Sequence, residues 1–296
     1  MKKISTYITK KVADRLDDIF KNQRTDLEAK WDNLKLFIEY GMLSDEKFCE
    51  RALKFALLKN TDGKFFAMDD YRKAIADAQT DKDKKVVYLY ATNVEDQYPF
   101  IEAAKNKGYD VLLMDCELDS HFVNLLEQKI PDSRFARVDS DSADNLIVKE
   151  EKVKPEMAKE DKETLSKLFK AILPDEYEYY VEPDTLGEGG APILITRNEF
   201  MRRYREMSAL GGGMNFYGEM PESFNITVNL QNPLMANVVG EMKEHADNVE
   251  EYASGNEMLK QVTDLALLAN GLLKGKALAD FIARSEKVLT DACLKK

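Results

Sequence analysis

Between Lys85 and Val138 the chain alternates in a way that few folds accommodate. Val86-Val87-Tyr88-Leu89-Tyr90 is a compact β-prone run. Pro99 to Ala104 forms a helix with proline near its first turn, and Gly108 stops it. Asp110 to Asp115, DVLLMD, is a second buried strand, Asp119 to Lys129 a second helix, and Phe135-Ala136-Arg137-Val138 a third strand. Strand, helix, strand, helix, strand at these intervals specifies βαβ units and a small parallel sheet.

The flanks are mainly helical. Ile8, Val12, Leu16, Ile19 and Phe20 recur at helical spacing, as do Leu27, Trp31, Leu34 and Ile38, then Phe48, Ala52 and Phe55. Ser44 reads as the N-cap of the third helix, and Asp69 or Asp70 as the cap of a shorter one. Residues 139–162 are polar and weakly periodic, which suits a linker. Beyond them a helix from Glu163 to Leu173 is followed by strands at Glu178–Val181 and Pro192–Ile195. A glycine-rich turn, Gly187 to Gly190, joins these two. A helix from Asn198 to Leu210, a strand at Phe224–Leu230 and a helix capped by Asn232 with Pro233 at its first position come next. Two final helices carry wide apolar stripes. Either a partner chain covers them in a four-helix bundle, or this chain's own sheet does.

The overall class is α/β (α+β). Apolar residues make up 44% of the 296, enough for ordinary cores. The net charge of −11 argues against nucleic acid and anionic membranes as partners, because phosphates would be repelled. No apolar run approaches the roughly 20 residues that span a bilayer. Three widely spaced cysteines without a CxxC suit a reducing compartment, so a cytoplasmic location is expected.

Catalytic chemistry is sparse. Cys116 and His121 lie five residues apart and could form a nucleophilic pair. Cys116, just after a buried strand, also suits a small core residue. Metal binding needs three or four converging ligands, and nothing in the sequence is spaced for that. Neither Gly187-Glu188-Gly189-Gly190 nor Gly211-Gly212-Gly213 is followed by Lys-Ser/Thr, so neither is a phosphate loop. What stands out is MSALGGGMNFYGEMP, from Met207 to Pro221. Met207 and Leu210 finish an amphipathic helix. The glycines break it. Met214, Phe216 and Tyr217 then offer a deformable apolar surface of the kind that suits many partners.

Two long stretches bear a family resemblance. ITRNEFMRRYREMSALGGGMNFYGEMP followed by FNITVNLQNPLMANVVGEM resembles the C-terminal domain of heat-shock protein 90 chaperones of the bacterial HtpG type. YITKKVADRLDDIFKNQRTDLEAKWDNLKLFIEYGMLSDEKF and VVYLYATNVEDQYPFIEAAKNKGYDVLLMD resemble the same family's middle domain. The resemblance implies a helical coil over 1–80, a small αβα subdomain over 81–140, a linker over 141–162 and a C-terminal dimerisation domain over 163–296. It implies a homodimer through the last two helices, with Leu259, Val262, Leu265, Leu272, Leu278, Phe281 and Ile282 as interface residues. It also implies binding of unfolded or partly folded client proteins. One contact surface is the helix after DVLLMD, where relatives use an acid, a tryptophan and an asparagine. Those positions are Ser120, His121 and Asn124 here, with Phe122 adjacent, and only Asn124 is kept. The other is the segment with Met207, Leu210, Met214, Phe216 and Tyr217.

The family's ATPase domain has no counterpart in the sequence. A truncated piece of a longer chaperone is therefore expected, with no cofactor in this chain and with ATP and Mg bound by the parent's missing domain. Two other functions compete: a purely structural dimerisation module, and an enzyme on the small sheet that uses Cys116 and His121.

Overall fold

The structure, a computed structural model, describes residues 2–151, 155–211 and 222–294, with side chains from residue 7 onward and not at 207–211. The chain divides into two compact units. The first comprises residues 1–151 and 202–213, and the second 152–201 and 214–296.

The first unit begins with α1 (Lys2–Asn22), α2 (Arg24–Ser44) and α3 (Glu46–Ala52). Leu27, Trp31, Ile38 and Met42 form the buried stripe of α2, and Phe48, Cys49 and Ala52 that of α3. Among the described side chains of α1 only Ala13 is fully buried. Leu16, Ile19 and Phe20 pack at the edge of the core, while Ile8 and Val12 stay exposed. The cap of α3 is Asp45, not Ser44. Ser44 is the last residue of α2, and the extended backbone of Asp45 lets its carboxylate accept from Phe48 N at 2.9 Å.

An unanticipated antiparallel hairpin follows, β1 (Leu57–Lys59) and β2 (Phe65–Ala67). It turns at Gly63, which has φ +77°. Asn60 Oδ1 accepts from Asp62 N and Lys64 N, and its amide donates to Asp110. Helix α4 (Met68–Gln79) comes next. Asp69 and Asp70 lie inside its first turn rather than at the cap, where they complement the helix dipole.

The alternating region folds as expected. β3 (Val86–Ala91), α5 (Tyr98–Asn106), β4 (Val111–Leu113), α6 (Asp119–Lys129) and β5 (Ser133–Arg137) build a parallel sheet in the order β4-β3-β5. Every residue of β3 is buried, as a central parallel strand requires. Tyr88 stacks on Phe135 at 4.6 Å on one face, while Val87, Leu89 and Ala136 belong to a separate core on the other. A short α7 (Ala143–Leu146) lies within the stretch expected to be linker.

The second unit has α8 (Lys159–Lys170), β6 (Glu178–Asp184), β7 (Ile193–Arg197), the start of α9 (Glu199–Gly211), β8 (Ser223–Asn229), α10 (Pro233–Glu244), α11 (Val249–Gly255), α12 (Glu257–Ala269) and α13 (Gly275–Leu294). Helix α8 starts within the expected linker, its acidic residues Glu160 and Asp161 favouring the first turn. β6 and β7, successive in sequence, do not pair. β8 lies between them, parallel to β6 and antiparallel to β7. Pro183 explains part of this, because a residue without an N–H is confined to an edge strand. The glycine-rich turn is instead held by Asn229. This fully buried side chain accepts from Leu186 N and Gln231 N and donates to Gly187 O. Asn232 caps α10 as expected, accepting from Leu234 N at 3.1 Å.

Candidate functional site: the α6 surface and the terminal helices

Two places carry the predicted site residues. The first is α6. Its N-terminal half presents Ser120, His121, Phe122 and Asn124, and α9 crosses it from Arg202 onward. Phe122 is only 3% exposed and belongs to the core beneath the helix, so it anchors α6 rather than facing outward. Ser120 Oγ donates to Glu206. Asn124 Oδ1 accepts from Arg203 Nη1 at 3.2 Å. Arg203 also forms a forked pair with Glu127, at 2.9 and 3.3 Å, and donates to Phe135 O at 2.6 Å. His121 is half-buried.

Charge is balanced closely along this seam. Arg202 donates to Glu206 at 2.6 Å and to the Tyr90 hydroxyl at 2.7 Å. Arg137 makes a buried two-point pair with Asp139, at 2.6 and 2.9 Å, and reaches Glu206 at 3.4 Å. Burial pushes the Glu206 carboxyl up. The Ser120 hydroxyl and the Arg202 and Arg137 guanidinium groups more than offset this and hold it below its ordinary range. None of these arginines was singled out from the sequence. RRYRE has the charge pattern of any solvated helix, and only the fold shows that its first two arginines and its glutamate turn inward.

The remaining residues of the second expected client surface fall largely outside what is described. Met214, Phe216 and Tyr217 lie outside the described residues. Met207 and Leu210 lie on α9, but their side chains are outside them as well.

The terminal helices form the second place. Asn256 caps α12, accepting from Leu259 N at 2.9 Å, and Gly271 with φ +68° permits the turn toward α13. Polar groups clamp the pair. Gln261 Nε2 donates to Ser285 Oγ at 2.7 Å, and Arg284 donates to Gln261 and Asp264. The seven predicted interface residues separate into two sets. Leu259, Val262, Leu272 and Phe281 are buried in the unit's own core, with Leu278 packed partly against it. Leu265 is 55% exposed and Ile282 48%. Met258 and Leu268 are exposed beside Leu265, and Leu289 beside Ile282. Met258 and Leu265 are one heptad apart, as are Ile282 and Leu289, so each helix shows an apolar seam.

The Cys116 thiol is not activated as a nucleophile. The Cys116 thiol donates to Glu39, and burial together with neighbouring acids pushes it up to about 12. Thiolate chemistry requires the opposite shift.

The comparisons with known proteins meet this geometry over nearly the whole chain. The profile of the family described as Hsp90 protein matches residues 1–293. The chain belongs to the Hsp90 family. It is similar to the chaperone protein HtpG of Bacteroides fragilis (strain YCH46), 43% identical over 347 residues that cover 98% of this chain and 51% of that protein. Against the chaperone protein HtpG of Porphyromonas gingivalis (strain W83) the identity is 44%, with the same coverage. A more distant HtpG, from Borreliella burgdorferi, is 25% identical over 203 residues, covering 67% of this chain and 32% of that protein. The chain thus spans about half the length of these Bacteroides and Porphyromonas relatives. Residues 202–211 of α9 fall in the same compact unit as the α6 sheet.

Proposed function

We propose that this chain is the dimerising, client-holding part of an Hsp90-type chaperone. The observation that carries this function is the exposed seam of Met258, Leu265, Leu268, Ile282 and Leu289 on two helices already packed together. Fully burying such a side chain is worth about 1.5–3 kcal/mol, and covering the half still exposed here about half of that. A second copy can cover its partner's seam and have its own covered in turn, which closes a two-fold four-helix bundle. Family membership supports the same assembly.

Client proteins are held at low affinity per contact, on the outward-facing part of α6 around His121 and on the segment from Met207 to Tyr217. Two arms give avidity, because the second contact becomes intramolecular. The chain itself makes and breaks no bond. ATP and Mg act elsewhere in the whole protein, and the cytoplasm is the compartment. Among the described residues no helix is long and apolar enough to cross a membrane.

Sedimentation velocity of the chain at micromolar concentration tests the dimer. A dimer is expected, and a monomer would sink the proposal. Suppression of aggregation of an unfolding client tests the holding function, with Met214 and Phe216 intact or both changed to serine. Equal suppression by the two proteins would remove the glycine-flanked segment from the client surface.

A further inference from the structure

Outside the dimer seam and the client surface, one buried cluster is left without a role. Glu39 on α2 meets Cys116, in the segment between β4 and α6, and Asp119, the first residue of α6. One ligand atom from each of the three lies within 4.8 Å of the others. Glu39 is 5% exposed and Asp119 4%. Asp119 Oδ2 accepts from Cys116 N at 2.6 Å, but Asp119 Oδ1 and Glu39 Oε2 are buried without any hydrogen-bond partner. Two orphaned carboxylate oxygens beside one thiol are costly in a protein interior unless something positive meets them. The nearby cation is Lys35, whose ammonium pairs with a third acid, Asp115, at 2.5 Å. Lys35 is thus engaged by Asp115, and neither orphaned oxygen receives a hydrogen bond from it.

We propose that Glu39, Cys116 and Asp119 bind a divalent transition-metal ion of the zinc class. One thiolate and two carboxylates would serve as ligands, with a fourth position left to water. The donor set suits such an ion, since zinc accepts both sulfur and carboxylate oxygen. Bonds of about 2.0–2.3 Å put tetrahedral ligands roughly 3.3–3.8 Å apart, so the trio need close by no more than about 1.5 Å. On binding, the thiol and the buried Glu39 carboxyl release their protons to solvent, and the sulfur coordinates as thiolate beside the two carboxylates. The ion satisfies both orphaned oxygens. It also ties α2 to the start of α6, the helix that carries Ser120, His121 and Asn124. This site depends on neither the dimer nor the client proposal.

Cobalt(II) is the probe, added without oxygen to the untagged, chelator-treated chain. A thiolate–cobalt charge-transfer band that saturates at one ion per chain and is displaced by zinc is expected. Losing an outer partner of a metal costs about 10–100-fold in affinity. Replacing a ligand should cost at least as much. Cys116→Ser should therefore abolish the band, and Glu39→Gln should weaken cobalt binding by about tenfold or more. Cys293→Ser, at an exposed thiol far along the chain, should leave the titration unchanged. The melting temperature of the wild-type chain should rise with zinc concentration. No band in the wild-type chain overturns the proposal. So does a band that survives Cys116→Ser, or unchanged affinity in Glu39→Gln. Circular dichroism of each variant confirms that it is folded before it is scored.

Discussion

At the scale of single residues, the α6 seam shows how neighbours change what a side chain does. Glu206 has a carboxyl held below its ordinary value of 4.5, although burial alone would raise it. A depressed folded-state pKa contributes stability that is present above the unfolded value and is lost as pH falls through the folded one. Glu206→Gln should therefore destabilise the chain at neutral pH by about 1 kcal/mol, a modest figure because the group is partly exposed. Urea denaturation from neutral pH down to acid should show that gap narrowing below the ordinary carboxyl range. A constant gap would mean that shape rather than charge sets the cost. Phe122 makes the complementary case. Its position beside His121 suggests a surface residue, yet it fills the core under α6. Phe122→Ala should cost about 3–5 kcal/mol in denaturant melts, an effect on stability rather than on client affinity alone.

At the scale of elements, local patterns were legible wherever local forces decide. Burial on both faces made β3 a continuous apolar run, and Asn232-Pro233 announced α10 because a cap and a fixed φ act within one turn. The β1–β2 hairpin escaped because its strands are three residues long, too short to show an alternation. Its one local signal was Asp62-Gly63. The order β6-β8-β7 had no local signal for another reason. Strand order depends on which partner buries the shared face, and β8 is separated from both in sequence. Asn229 at the end of β8 bonds three backbone groups, two at the 187–190 turn (Leu186 N and Gly187 O) and one, Gln231 N, just after its own strand. Asn229→Ala would leave those groups short of partners, at about 1–3 kcal/mol. Hydrogen exchange should speed up at Leu186 and Gln231, and unchanged exchange there would show that the turn holds itself.

At the scale of the whole molecule, the terminal helices decide what the chain can assemble into. Their stripes were too wide for one neighbour, and the fold divides them. Leu259, Val262, Leu272 and Phe281 serve the unit's own core, while Leu265 and Ile282 remain outside it. The double change Leu265→Asp and Ile282→Asp should therefore convert the expected dimer to monomer with little loss of folded structure. Charges placed on a covered apolar seam oppose association, and in the monomer they stay in water. Sedimentation together with far-ultraviolet circular dichroism checks both halves of that statement. Leu259→Asp should unfold the second unit instead, because no water reaches that position.

What the sequence by itself determined is whatever short-range physics controls: the parallel βαβ core, the Asn232 cap of α10, the apolar stripes and the family to which the chain belongs. What only the tertiary structure decided is which side chains meet. Glu39 lies far from Cys116 and Asp119 along the chain, so no spacing rule could announce the cluster they form. Likewise the inward turn of Arg202, Arg203 and Glu206 has no periodic signature. A charged helix face looks the same in sequence whether it meets water or oppositely charged partners. The difference arises only when distant segments are packed together and burial makes each unpaired charge costly.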